Sequence, residues 1–233
     1  MKPAIVYTMG KVGSDAVARA LEKAGAPTHH IHTLDEKYIL SEVAKAASAG
    51  ALPAGHLCAS MLLLQRRPAN AVYVSSVRDP VARNLSAFFQ NLGVFGLDES
   101  SSLDAVGGAF VARYNHKLPL NWFEREFAAH TGANVFGKSF DRAKRFAKGA
   151  NWIVFRDDCD DAEKSRQLSA LIGGKITVKR GNETGAKAAG ALYARAKEDL
   201  KLPEALLDEI YGSAFARHFW TDDERSAMRA RWR

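Results

Sequence analysis

The sequence predicts an α/β protein with a mainly parallel central sheet and a helical C-terminal part. Three observations carry this expectation. Short apolar strand-like runs alternate with helical patterns through the first half, as βαβ crossovers require. The run from Ala71 to Val77 is β-rich and largely apolar, with Ser75 and Ser76 its only polar residues, which suits a central strand buried on both faces. The tail carries only helical patterning, from the Lys- and Ala-rich stretch 186–200 through segments opening at Pro203 and Thr221.

Taken in order, Ile5–Met9 reads as the first strand and Ser14–Ala24 as its crossover helix. Pro27–Thr33 is a second strand and Asp35–Ser48 a helix. A loop over Gly50–Gly55 leads to a helical segment, His56–Leu64. Asp79–Leu92 follows the central strand as a helix, with Pro80 in its first turn, where a missing N–H costs little. Gly93–Ser102 reads as a loop. Helices follow at Leu103–Tyr114 and Leu120–His130, then a strand at Trp152–Phe155, a helix at Ala162–Ile172 and a strand at Lys175–Val178. No repeat, linker or shift of composition divides the chain, so residues 1–233 read as one domain.

Composition narrows the function classes. With 47% apolar and 25% charged residues, the chain has the make-up of an ordinary globular protein. Its longest apolar run, around Cys58–Leu64, is too short for a bilayer, and a strand starting at Ile5 leaves no room for a signal peptide. A cytoplasmic protein is expected, with Cys58 and Cys159 as buried reduced thiols, since they form no Cys-x-x-Cys pair. The net charge of +7 favours an anionic ligand. Part of that excess, Arg225, Arg229, Arg231 and Arg233, falls on a terminal helix and reads as a solvated basic face. No zinc-finger spacing or aromatic-interleaved basic strand points to nucleic acid.

Two motifs carry chemistry. The first strand breaks at Gly10-Lys11-Val12-Gly13-Ser14-Asp15, and a helix begins at once. That order places backbone N–H groups, the helix dipole and a lysine around one point, an anion site. Its spacing is not that of a nucleotide-triphosphate loop: Val12 stands where a magnesium-binding hydroxyl belongs, which disfavours a kinase. Ser14 as a simple helix cap is the alternative use of this turn. The second motif follows the central strand: Arg78 at its C-terminal edge, and Ser86 eight residues on, near the same helical face. An arginine fork with a hydroxyl can hold a second phosphate; an Arg78–Asp79 capping interaction is the alternative.

Together the two motifs resemble the sulfotransferases that use 3′-phosphoadenosine 5′-phosphosulfate (PAPS). The phrase Val77-Arg78-Asp79-Pro80 with Arg83, Ser86 and Phe88 is similar to carbohydrate O-sulfotransferases. The C-terminal run from Leu206 to Trp220, with Asn121-Trp122-Phe123, is similar to bacterial capsular polysaccharide synthesis proteins. The resemblance implies a P-loop-like three-layer fold. It also implies donor binding by Lys11, Val12, Gly13, Ser14 and Asp15 for the 5′-phosphosulfate, and by Arg78 and Ser86 for the 3′-phosphate. The acceptor would be a hydroxyl of a carbohydrate or glycoconjugate, and no metal would be needed. Asp15 departs from the family, which has a hydroxyl residue there.

Transfer to a hydroxyl needs a base, and histidine suits it near neutral pH. The resemblance points to His56, in Gly55-His56-Leu57, with His32 as the competitor. Strand alternation puts His30 and His32 on one face, where a zinc pair is conceivable but no third ligand falls at a telling spacing. Asn121-Trp122-Phe123 could stack on a ring or belong to the core. Lys179-Arg180-Gly181-Asn182 is either a solvated turn or, by the resemblance, a lid whose Arg180 reaches the donor. The acidic run Asp157–Asp161 lacks the glycine and terminal glutamate of a calcium loop and suits a helix N-terminus. The aspartate at position 15 keeps open a second class of function, a non-catalytic anion- or partner-binding module on the same fold.

Overall fold

The structure, a computed structural model, describes residues 1–179 and 190–233. These gather into two compact units: Met1–Val77 with the stretch from Trp122 onward, and Arg78–Asn121 with the C-terminal stretch to Arg233.

The first unit is α/β. Its chain runs β1 (Ala4–Tyr7), α1 (Ser14–Lys23), β2 (Thr28–Ile31), α2 (Glu36–Ser48), α3 (Gly55–Gln65) and β3 (Val72–Val77). The second unit opens with α4 (Pro80–Gln90), a 3-10 turn at Leu92–Phe95 and α5 (Leu103–Arg113). Next come α6 (Leu118–Trp122), a π-helical segment (Phe123–Ala128) and α7 (Ala129–Thr131). The first unit is completed by β4 (Phe146–Lys148), β5 (Trp152–Arg156) and α8 (Asp161–Ile172). The second closes with α9 (Gly190–Asp199), α10 (Glu204–Tyr211), α11 (Ala214–Phe219) and α12 (Asp222–Trp232).

The five strands form one sheet in the order β2-β1-β3-β5-β4, parallel except for β4, which pairs antiparallel at an edge. β3 holds the centre and all six of its residues are buried, Ser75 and Ser76 included, as expected of a central strand. Alternation sends Ala4, Val6, Val72, Val74, Ile153 and Phe155 to one face, against Val17 and Leu21 of α1 and Leu168 and Ile172 of α8. Tyr7 and Tyr73 point to the other face, where Trp122 meets the Tyr7 ring edge-on at 5.1 Å and Phe127 packs on both tyrosines. β1 sends its crossover to β2 on one side, and the next crossover returns past it to β3 on the other. The carboxyl end of β1 is therefore a topological switch point, where open α/β sheets form their crevice.

Four local expectations need correction. Lys175–Val178 is not a strand: Ile176 and Val178 are buried, but their N–H groups donate to the hydroxyls of Ser169 and Ser165 on α8, both at 2.9 Å. Side chains of a helix have taken the place of a neighbouring strand. The loop expected over Gly93–Ser102 starts inside the 3-10 turn. The helix expected over Leu120–His130 is interrupted by the π segment. Cys58 is exposed rather than buried, while Cys159 is buried; both are free thiols.

In the second unit, Phe88, Phe110, Leu207, Ile210 and Trp232 form the centre of the core. Asp79 caps α4, its Oδ1 accepting from the N–H groups of Val81 (2.9 Å) and Ala82 (3.5 Å). The same carboxylate accepts from the Tyr211 hydroxyl at 2.9 Å and from Trp232 Nε1 at 3.3 Å. The Tyr211–Asp79 contact thus joins α10 to the start of α4. Among the C-terminal arginines, Arg225 pairs with Asp222, Arg229 with Asp208 and Arg233 with Glu204. Among the described residues no helix is long and apolar enough to cross a membrane.

Candidate functional site

The loop after β1 is built for close backbone approach. Gly10, Lys11 and Gly13 all have left-handed backbones, with φ of 74°, 61° and 73°. Two of these are glycines, for which such a conformation carries no steric penalty; Lys11 adopts it against that preference. Val12, only 1% exposed, anchors the loop in the core. Gly13 is the N-cap of α1 and so offers no side chain to the first turn. The helix therefore opens with backbone donors and a positive dipole end that no side-chain cap satisfies. Ser14 does not act as the cap; it is the first helical residue and its hydroxyl is used elsewhere.

That hydroxyl lies 2.9 Å from His30 Nε2 and accepts from Thr8 Oγ1 at 3.3 Å. On the far side of the same imidazole, His30 Nδ1 stands 3.6 Å from Asp15 Oδ1. The carboxylate of Asp15, the residue that departs from the sulfotransferase pattern, therefore faces a histidine of β2.

His30 on β2 and His32, one residue past its end, lie on the same side, as alternation predicts, with rings edge-on at 5.1 Å. His56, at the start of α3, brings its ring within 4.9 Å of His32. The join is made by Ser60, whose buried hydroxyl lies 2.7 Å from the Thr33 carbonyl oxygen and 2.9 Å from that of His56. The two sequence candidates for a base are thus neighbours. His32 Nδ1 is 3.0 Å from the Thr8 carbonyl oxygen, which can only accept, so Nδ1 carries the proton and Nε2 keeps its lone pair. The ring lies against the loop: a Cβ on Gly10 would stand 3.7 Å from His32 Nε2.

Burial lowers the basicity of the whole cluster. His32 falls from an ordinary 6.5 to about 4, first because it is desolvated and then because His30 and His56 stand beside it. Burial also lowers His30, with Asp15 opposing the shift, and burial lowers His56. At neutral pH all three rings are therefore neutral and able to accept a proton. The His32 shift has a consequence for stability. An unfolded chain takes up this proton first, so the stability contribution is complete above pH 6.5 and is lost as pH falls towards 4. We expect about 3 kcal/mol of acid sensitivity to be traceable to this ring. Urea unfolding at pH 7 and pH 4 should show the difference between the two shrinking by that amount in His32→Gln.

The remaining candidates are distributed as follows. Arg78 directly follows β3 and is half-buried, and Ser86 is half-buried on α4; both belong to the second unit. Asp79 has its own cap and core partners, so the capping alternative for this motif describes Asp79 itself. Arg180, with 181–182 of the basic segment, lies outside the described residues; Lys179 is exposed. Trp122 and Phe123 are core residues, at 5% and 1% exposure, and do not offer a stacking surface. Asp160 caps α8 through the N–H groups of Ala162 and Glu163, in line with the helix-terminal reading of the acidic run. Among the described residues no group of three or more His, Cys, Asp or Glu is arranged to hold a metal.

Sequence reasoning missed Glu126. From the π-helical segment its carboxylate accepts from the Tyr7 hydroxyl at 2.5 Å, the Thr33 hydroxyl at 2.8 Å and the Leu34 N–H at 3.2 Å. It thereby ties the end of β1 to the turn that follows β2. The acidic residues of the segment gave no hint of which one turns inward, because a π turn shifts the helical phase.

No protein-family model, curated protein or solved structure matches the chain.

Proposed function

We propose that this chain is a sulfotransferase that moves a sulfuryl group from PAPS to a hydroxyl of a carbohydrate or glycoconjugate. One observation carries the reading: a lysine-bearing loop and an uncapped helix N-terminus at the switch point of a parallel sheet, with neutral histidines packed beside the loop. Anion stabilisation and a base are the two parts that in-line transfer of such a group needs.

In this reading the loop from Lys11 to Asp15 receives the 5′-phosphosulfate. Lys11 and the first amides of α1 neutralise charge on the bridging oxygen as the sulfur–oxygen bond breaks. His56 takes the proton from the attacking hydroxyl, with His32 as its neighbour. Arg78 and Ser86 take the 3′-phosphate, as the resemblance implies, and a P-loop-like three-layer fold belongs to the same proposal. Asp15 favours a second reading, a non-catalytic anion- or partner-binding module on this scaffold, because its carboxylate is 62% exposed beside the loop.

Calorimetry with 3′,5′-adenosine bisphosphate decides between them. We expect binding in the wild type, weakened about 10- to 100-fold in Lys11→Ala, as for a charge-assisted contact of about 1.5–3 kcal/mol. Arg78→Ala should weaken the bisphosphate similarly and leave 5′-AMP, which lacks the 3′-phosphate, unchanged. No heat from the wild type at millimolar bisphosphate overturns the donor assignment.

A further inference from the structure

An aspartate beside an anion loop opposes any ligand that enters, so its charge has to be answered. Among the described residues, His30 stands in position to do so. His30 is flanked on its two nitrogens by the two residues that open α1, with Ser14 Oγ at 2.9 Å from Nε2 and Asp15 Oδ1 at 3.6 Å from Nδ1. We infer that His30 takes up a proton when a sulfate- or phosphate-type dianion enters the Lys11–Ser14 loop, and that this protonation cancels Asp15 and releases the Ser14 hydroxyl to the ligand. The inference rests on the loop being an anion site, as in the function proposed above.

The hydrogen-bond accounting supports it. Asp15 Oδ1, 3.6 Å away, is beyond hydrogen-bond distance, but its negative charge favours the proton on Nδ1, and with that tautomer Nε2 accepts from Ser14 in the empty site. The Ser14 O–H is then spent on the histidine and cannot serve an anion. A second proton, on Nε2, reverses that bond. Ser14 Oγ then accepts from His30 and from Thr8 Oγ1, 3.3 Å away, and its own O–H is free to turn to the loop. On the other nitrogen, the imidazolium now faces Asp15 as a cation and the two charges cancel. One proton thus removes a repulsive carboxylate and gains a donor.

The surroundings set the balance. Burial opposes the proton most; on α1, Asp15 and Glu22 favour it, while His56 on α3 opposes it and His32, one residue past the end of β2, stands edge-on to it. β1 contributes only Val6 opposite His30 in register. In the empty site the ring is accordingly neutral at pH 7, and the incoming negative charge is what shifts it. His30 is a positioning residue here, acting through Ser14 and Asp15 rather than on the transferred group.

The test is proton linkage, measured by calorimetry near pH 7.5 in buffers of low and high ionisation enthalpy. Sodium sulfate and 3′,5′-adenosine bisphosphate are the probes; sulfate does not titrate near neutrality, so any proton taken up with it is the protein's. We expect uptake of about one proton per anion in the wild type, and an affinity that falls about tenfold per pH unit. His30→Gln keeps an N–H donor for Ser14 but cannot titrate; its uptake should vanish and its affinity should be flat in pH. An anion that binds the wild type without proton uptake, or uptake unchanged in His30→Gln, overturns the inference. Sulfate binding with uptake while the bisphosphate fails removes the donor assignment and leaves His30 in its role. Bisphosphate binding without uptake does the reverse, and failure of both probes overturns both.

Discussion

Replacing Asp79 by alanine is expected to cost about 3–5 kcal/mol of stability, a large share of what a domain of ordinary stability has. The carboxylate is buried and serves four donors: two backbone amides of α4, the Tyr211 hydroxyl and the Trp232 indole. A helix cap alone is worth about 0.5–2 kcal/mol. Here truncation also strands a tyrosine hydroxyl and an indole N–H in the core, each at about 1–3 kcal/mol. Burial pushes the Asp79 carboxyl up while these four donors pull it down, so the group is held between opposing forces. Asp79→Asn separates the contributions: its oxygen can keep the Oδ1 partners, but its amide would face Trp232 Nε1–H donor to donor. Urea unfolding should therefore rank wild type, Asn and Ala in that order, with Asn losing about 1–3 kcal/mol. A loss below 1 kcal/mol in Asp79→Ala would show that the network does not hold the second unit together.

The second large effect concerns the base of the proposed sulfuryl transfer. His56→Ala is expected to lower the transfer rate by about 10²- to 10⁴-fold at saturating donor while leaving bisphosphate affinity unchanged. His32 is the weaker base of the two, because burial and two neighbouring rings hold it at about 4, far from an operating pH near 7. His56 is also lowered by burial, but no neighbouring charge adds to its shift. The rate should rise with pH through an acid limb lying below 6.5, since the base must be unprotonated to work. Steady-state transfer to a hydroxyl acceptor in the two alanine variants provides the measurement. A loss larger in His32→Ala than in His56→Ala would exchange their roles, and no loss in either would remove histidine as the base.

Where the signals are local, the sequence made them legible. β1, α1 and β3 follow from apolar runs ended by glycine or a charged pair. α2, α4 and α12 announce themselves through Asp35, Asp79-Pro80 and the Thr221–Glu224 capping box. Where the partner is distant, the pattern fails. β4 is three residues long and exists only because Phe146–Lys148 finds the edge of β5. Ile176 and Val178 alternate like a strand, yet two serines of α8 claim their amides. The candidate site divides in the same way. Alternation placed His30 beside His32, and the glycines placed the loop. The approach of His56 depends on Ser60 binding the end of β2, and the turning of Asp15 towards His30 depends on β2 lying beside the start of α1. Neither is written in any spacing along the chain.

Lys11 gives the loop a further character. A left-handed backbone at a lysine costs about 1–2 kcal/mol that glycine would not incur. The fold and the proposed chemistry therefore want different residues at one position. Any programme of thermal selection that screens for folded protein alone is drawn towards glycine at residue 11, and its gains there come at the expense of the charge on which the proposed anion binding relies. Screens that couple stability to anion binding keep the lysine, and would find their stabilising changes away from this turn.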